Sequence, residues 1–476
     1  MDTKEILGYA AGSIGSAVLA VIILPLLSWY FPADDIGRIV LMQTAAGLTV
    51  SVLCLGLDQA YVREYYAAAD KDTLFKTLFL PPLLSAAAIA ALLLSRPTLP
   101  SEILFSLDDA AAGIGLVLFE LSFLPIRFLL LVLRMEGRAL AFSSAQLVPK
   151  LAILLLLLLL LLTVGLLHFP ARTAVLTAVY ALANLAAAAF LLFQNRCRLK
   201  AVRRAPFSSA VLHRGLRYGI PIALSSIAYW GLASADRLFL KKYAGLEQLG
   251  VYSMGISFGG AALLFQSIFS TVWTPYIFRA IEENAPPARL SATAESAAAL
   301  LASALCLTGI FSPLASLLLP ENYAAVRFIV VSCMLPPLFC TLVEISGIGL
   351  NVVRKTRPIA LATLGALAAN LLLLGLAVPS GGARGAAVAC AASFWLFFVF
   401  KTESSCRLWQ PLKRLPLYMH TLFCLASSAA YTCFGTPANY PLFAGIWAAY
   451  LAGCLLRHRK DLHKLLHYLK KQGFPL

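Results

Sequence analysis

Charge is what this sequence has least of. Charged residues make up only 13% of the 476, about half of the roughly 25% usual in a soluble globular chain. Water could not solvate a surface so poor in charge. Acids are scarcer still than bases, with 22 Asp and Glu against 38 Lys and Arg and a net charge of +16. Other absences narrow the function. No long polar stretch exists that could fold as a separate soluble domain. No CxxC occurs among the ten cysteines, and Cys306, Cys333, Cys340, Cys390, Cys424 and Cys454 stand in apolar runs, where cysteine acts as a small hydrophobe. A disulfide framework or zinc site is therefore not expected. No GxxxxGK[ST] loop and no nucleophile–base–orienter set are found, which argues against an ATPase and against covalent chemistry. The start, Met1-Asp-Thr-Lys-Glu5, lacks the basic head of a signal peptide, so the apolar run behind it reads as a retained first helix.

What is there is hydrocarbon. Hydrophobic residues reach 60% and the mean hydropathy is +0.83. Apolar stretches of at least ~18 residues recur along the chain, each long enough to cross a core of about 30 Å. They predict an all-α integral membrane protein of about fourteen transmembrane helices, near 8–31, 36–62, 75–95, 110–133, 145–168, 172–194, 217–240, 249–276, 293–319, 325–350, 358–378, 383–400, 416–434 and 438–456. The expected organisation is a six-helix lobe over 1–194, a cytoplasmic basic linker at 195–216, a second six-helix lobe over 217–402, two further helices over 403–456, and a cytoplasmic amphipathic basic tail over 457–476. In the tail, Leu462, Leu465, Leu466 and Leu469 share one helical face, suited to an anionic leaflet. His463 and His467 have the spacing of a metal pair but lack a third ligand, so a solvated face is expected rather than a metal.

The basic residues concentrate in alternate short loops. That is a signature of membrane orientation rather than of nucleic-acid binding. It places both termini on the cytoplasmic side of a multi-pass plasma-membrane protein.

The chain also repeats itself. Tyr30-Phe-Pro-Ala-Asp-Asp-Ile-Gly37 and Tyr243-Ala-Gly-Leu-Glu-Gln-Leu-Gly250 share the order aromatic, short turn, two polar residues, aliphatic, glycine. Each joins the first two helices of its six-helix group. A second echo links Ala174-Val-Leu-Thr-Ala-Val-Tyr180 with Ala386-Ala-Val-Ala-Cys-Ala-Ala392. An even number of helices separates the copies, which makes a parallel repeat, a hallmark of transporters that alternate access. The two matching turns are expected to approach when the cavity faces inward.

Five segments carry a family resemblance. Gly219-Ile-Pro-Ile-Ala-Leu-Ser-Ser226, Ala235-Asp-Arg-Leu-Phe-Leu240 and Leu249-Gly-Val-Tyr-Ser253 resemble the seventh and eighth helices of the bacterial polysaccharide-exporting flippases, in the multidrug/oligosaccharidyl-lipid/polysaccharide exporter superfamily. Asn370 to Ala392, with Pro379, Gly382, Gly385, Ala386 and Ala387, resembles the eleventh-to-twelfth helix junction. Gly56-Leu-Asp-Gln-Ala-Tyr-Val-Arg63 resembles the end of the second helix. The resemblance implies a flippase that moves a lipid-linked oligosaccharide, typically on undecaprenyl pyrophosphate, from the cytoplasmic to the outer leaflet of the bacterial inner membrane. Such activity serves surface polysaccharide, lipopolysaccharide or glycoprotein assembly. It implies membrane lipids and a glycan polymerase or oligosaccharyltransferase as partners, and no cofactor. Two alternatives stay open: a drug or organic-cation antiporter of the same superfamily, and an integral-membrane glycan polymerase or ligase.

Ionisable side chains within membrane helices are costly and are candidates for function. Arg127 and Lys150, at similar depth near the cytoplasm, together with Arg63 at a helix end, are the candidate substrate-binding residues, since a guanidinium fork and a point cation both suit a diphosphate. Glu120 lies two turns from Arg127 on one helical face, where it can pair with Arg127. Asp58, Glu120, Asp236, Arg237 and Glu344 are the candidates for coupling or gating. Pro25, Pro81, Pro82, Pro125, Pro221, Pro336 and Pro337 are expected to kink their helices and free carbonyls to line a cavity.

The topology is testable in a cysteine-free background carrying Lys200→Cys, Gly381→Cys or Leu465→Cys. An impermeant thiol reagent applied to intact spheroplasts should label only position 381. Labelling at position 200 would overturn the orientation.

Overall fold

The computed structural model describes residues 3–164, 172–282, 287–353, 355 and 357–457; the basic tail with His463 and His467 lies outside them. The described residues are helical almost throughout and contain no strand. The chain divides into two compact units, Met1–Leu238 with Gly245–Gly250, and Phe239–Ala244 with Val251–Leu476.

The helices in chain order begin with α1 (Thr3–Ser28), α2 (Ala33–Cys54), α3 (Leu57–Glu64), α4 (Lys71–Leu94) and α5 (Thr98–Phe105). Next come α6 (Ala110–Met135), α7 (Ala139–Val164), α8 (Arg172–Gln194), α9 (Arg196–Arg204) and α10 (Ser209–Tyr243). Helix starts follow local chemistry. The Asp70 and Asp109 side chains cap α4 and α6 by accepting from Asp72 and Thr73 and from Ala111 and Ala112. The Thr73 hydroxyl, with the Thr73 and Asp72 amides, holds the Asp70 carboxyl below the usual carboxylate range. That cap is therefore intact at neutral pH and is lost only as pH falls through the lowered value.

The predicted second helix, 36–62, is broken. Leu55 and Gly56 take φ of 47° and 73°, which ends α2 and starts α3 in a new direction. The break falls where the chain can tolerate it. Gly56 adopts the left-handed region without a Cβ penalty. It also lies so close to α10 that an added Cβ would sit 2.1 Å from the Gly219 carbonyl oxygen. Short α3 is then fixed by packing. Leu57, Ala60 and Tyr61 are buried at i, i+3, i+4. Tyr61 meets Phe75 edge-on at 5.8 Å, and Phe75 meets Phe128 of α6 at 6.3 Å. In lipid such van der Waals fit holds helices together, because burial from water supplies no drive there.

α10 starts earlier than predicted and runs alongside α2. Trp230 donates to the Thr44 carbonyl at 3.2 Å and covers Gly47. The predicted basic linker is itself partly helical, as α9. Val202 of α9 is buried, and the Lys76 ammonium donates to the Arg203 and Ala205 carbonyls at its C-terminal end at 3.1 and 2.5 Å. There a cation meets both the open carbonyls and the negative end of the helix dipole.

In the second unit, α11 (Gly245–Glu282) leads to α12 (Pro287–Phe311), α13 (Ala315–Leu318), α14 (Val326–Ser346) and α15 (Ile348–Val352). The chain ends with α16 (Arg357–Leu408), α17 (Arg414–Phe434) and α18 (Tyr440–Arg457). α16 is two helices meeting at Gly382, whose φ and ψ of 50° and −130° lie outside the helical region. The predicted junction between 358–378 and 383–400 is thus a kink without a loop. Hydroxyl pairs stitch this unit, Ser332 with Thr432 and Ser346 with Thr402, each at 2.7 Å.

The repeated turns become first turns of helices. The start of α11, Gly245–Gly250, belongs to the first unit and meets the start of α2 backbone to backbone. A Cβ on Gly37 would lie 2.4 Å from the Leu246 oxygen, and one on Gly250 would lie 1.9 Å from the Ala33 oxygen. Among the described residues, nine helical segments are long and apolar enough to cross a membrane.

Two glycine substitutions separate backbone strain from steric contact. Gly137 also has positive φ, 70°, but faces open space. Gly137→Ala should cost only the left-handed strain of about 1–2 kcal/mol. Gly56→Ala adds overpacking, typically about 1–3 kcal/mol more. The apparent melting temperature of the purified protein should fall further for Gly56→Ala; equal falls would show that the contact with α10 can yield.

Candidate functional site

The break after α2 decides the site. It puts Asp58 in the first turn of α3, where a carboxylate also suits the positive end of the helix dipole. Packing of Leu57 and Tyr61 then turns Asp58 towards α6. Arg127 donates from Nε at 3.1 Å and from Nη2 at 2.8 Å to a single oxygen, Oδ2 of Asp58. The Gln59 side-chain amide donates to the same oxygen at 2.9 Å.

The partners are unequally exposed. The Asp58 side chain is 9% accessible and that of Arg127 46%. The carboxylate is therefore the more deeply set partner, and the guanidinium the more exposed one, of a pair that lines a cavity of about 410 Å³ within the first unit. Ser51, Gln59, Phe123, Ile222 and Ser226 help to line it. Among the described residues Nη1 of Arg127 has no protein partner. The arrangement offers an oriented cation and several polar groups to an anion entering the cavity.

Glu120 does not pair with Arg127, although it lies two turns away on the same helix. It lines a separate apolar groove of about 230 Å³ between α2, α4, α5 and α6, where Thr49 is the other polar lining residue. Both its carboxylate oxygens are buried, with the Thr49 hydroxyl as their one polar neighbour in the groove. Arg127 turns to Asp58 because α3 delivers a carboxylate to its own level, and Glu120 is left to the groove.

The other candidates are dispersed. Arg63 is exposed on α3 and stacks over the Tyr218 ring at 4.1 Å. Lys150 is half-buried on α7, makes no ion pair among the described residues, and does not line the Arg127 cavity. Asp236 is buried on α10 and accepts from the Arg237 amide at 2.9 Å. The Arg237 guanidinium donates to Ser234 Oγ at 3.0 Å. Glu344 on α14 lies within electrostatic reach of Lys401 on α16.

One cluster was missed. Arg38 bridges Asp34 at 2.7 Å and Asp35 at 2.8 Å. The Thr173 hydroxyl of α8 donates to Asp35, and Arg38 Nε donates to the Phe105 carbonyl at 3.4 Å. The signal was present, since Asp34, Asp35 and Arg38 stand at i, i+1 and i+4. Among the described residues no group of three metal-ligating side chains occurs.

The Asp58–Arg127 pair can be checked by a double-mutant cycle. Asp58→Asn and Arg127→Gln should each lower the apparent melting temperature, and the double variant should fall little further. With Arg127 half-exposed and screened, the coupling should be about 0.5–1 kcal/mol. Strictly additive losses would show that the two groups act independently.

No family model matches the sequence, and no curated protein does. Solved structures do match. The lipid II flippase MurJ, in an inward closed conformation, is similar over 95% of this chain and 99% of its own, with a TM-score of 0.69 at 11% identity. An inward-facing multidrug resistance MATE family transporter of the MOP superfamily is similar over 84% of this chain and 95% of its own, with a TM-score of 0.55 at 12% identity. An outward-facing transporter of that description covers 88% of this chain and 96% of its own, with a TM-score of 0.53 at 14% identity. The chain is a multi-pass membrane protein with the fold that this lipid flippase and these MOP-superfamily transporters share.

Proposed function

We propose that the chain is a flippase that carries a polyprenyl-pyrophosphate-linked oligosaccharide from the cytoplasmic to the outer leaflet of the bacterial inner membrane by alternating access. The observation that carries this reading is a half-exposed arginine, held by a buried carboxylate and presented, with Ser51, Gln59 and Ser226, to an otherwise apolar cavity inside a membrane-spanning bundle. A charge at that depth is costly unless something uses it. Diphosphate is an anion that a planar guanidinium binds well. Likeness in fold to a lipid flippase over nearly the whole of both chains supports the same reading. The undecaprenyl carrier, cytoplasmic termini, and a glycan polymerase or oligosaccharyltransferase that receives the product complete it. Arg63 and Lys150 would serve the substrate's approach, since neither lines the cavity with Arg127. Asp236, Arg237, Glu344 and Glu120 would serve gating or coupling.

Glu120 favours a second reading. A buried carboxylate in an apolar groove also suits a lipophilic organic cation, the cargo of a drug antiporter.

Complementation of a strain lacking the gene separates them. Arg127→Ala should abolish glycan export while the protein remains folded and in the membrane. Arg127→Lys should retain only part of it, because a point charge cannot form the bidentate fork. Full export by Arg127→Ala at native expression level would remove the phosphate contact, and drug efflux dependent on Glu120 would then favour the antiporter.

A further inference from the structure

A bilayer poses a problem for an arginine that binds lipid-linked phosphate. Every phospholipid around the protein also carries a phosphate, in great excess over any polyprenyl carrier. An unpartnered guanidinium facing a cavity would be occupied by those headgroups. Here it is not unpartnered. The edge of Arg127 formed by Nε and Nη2 is engaged by one oxygen of Asp58, which Gln59 also holds.

We propose that Asp58 is a specificity-determining residue: a resident competitor for Arg127 that admits a pyrophosphate and turns away the phosphodiesters of bulk lipid. This rests on the flippase reading of the same cavity. The argument is one of charge and acceptor count. A phosphodiester is a monoanion with two free oxygens. It offers the guanidinium no more charge than the Asp58 carboxylate already does, and to bind it must first dislodge that carboxylate. A polyprenyl pyrophosphate spreads at least two charges over more oxygens. It can take the Nε/Nη2 edge, reach the free Nη1, and accept from the Gln59 amide released at the same moment. Only the richer anion gains by the exchange. The burial order fits, since both groups line the cavity but Arg127 is by far the more exposed. An incoming anion therefore meets the cation first. Discrimination of this kind works by making the wrong ligand pay an unfavourable exchange, not by adding contacts to the right one.

The test measures binding of geranylgeranyl pyrophosphate to the purified full-length chain in a neutral maltoside detergent, with dioleoylphosphatidylglycerol as the monoanionic competitor. In the wild type, excess phosphatidylglycerol should change the apparent Kd less than twofold. In Asp58→Asn it should raise it at least tenfold, and Asp58→Glu should restore discrimination. A second measurement needs no variant: at pH 8, dioleoylphosphatidic acid, a phosphomonoester of higher charge, should compete on the wild type at least tenfold better than phosphatidylglycerol. If the pyrophosphate binds through Arg127 but phosphatidylglycerol competes equally with wild type and Asp58→Asn, or both lipids compete equally on the wild type, Asp58 is no filter and the flippase reading stands. If the pyrophosphate does not bind, or binds undiminished to Arg127→Ala, the reading of the cavity fails and the filter with it.

Discussion

A hydrocarbon surrounding supplies no hydrogen bonds, and this constraint governs the molecule at every scale. Backbone groups must pair within their own helix, which leaves helices as the building unit here. Side-chain charges must be paired, kept near the interface or turned to a polar cavity. Wherever a helix breaks, the freed groups and the new direction need a local solution. At Leu55–Gly56 the solution is left-handed backbone pressed against α10, with α3 anchored by aromatic packing. At Gly382 it is a kink so tight that α16 continues across it.

The site follows from the first of these breaks. A continuous second helix would carry Asp58 onward in the direction of α2. Interrupted, the chain delivers a carboxylate to Arg127, and the two charges form a neutral, hydrogen-bonded unit at the edge of a cavity. Neutralisation makes the arginine tolerable in the bundle, while unequal burial keeps it available. Burying the acid more deeply than the base combines stability with access, two demands that usually conflict at a buried charge.

What could be read in the sequence is what short-range physics writes there. Apolar run length announced the membrane helices, and Pro379 with Gly382 and Gly385 announced the junction inside α16. The fold resemblance lay in the Gly219–Ser226 and Asp236–Arg237 segments and agrees with the solved structures of similar fold. The partner of Arg127 was not legible. Helical spacing pointed to Glu120, but spacing reports only which residues share a face, not what another helix brings to it. Asp58 is distant in sequence and reaches Arg127 through a break hidden in a run, Cys54 to Arg63, that reads as uninterrupted helix. The Arg38 cluster was written in local spacing, yet its completion by Thr173 and the Phe105 carbonyl required the tertiary fold.

The meeting of α2 with the start of α11 has a consequence of its own. At Gly37 and Gly250 the main chains come so close that a single added methyl on either would run into the other's backbone. Such a seat defines position by shape. It behaves as a mechanical bearing does, intolerant of a grain the size of one methyl group.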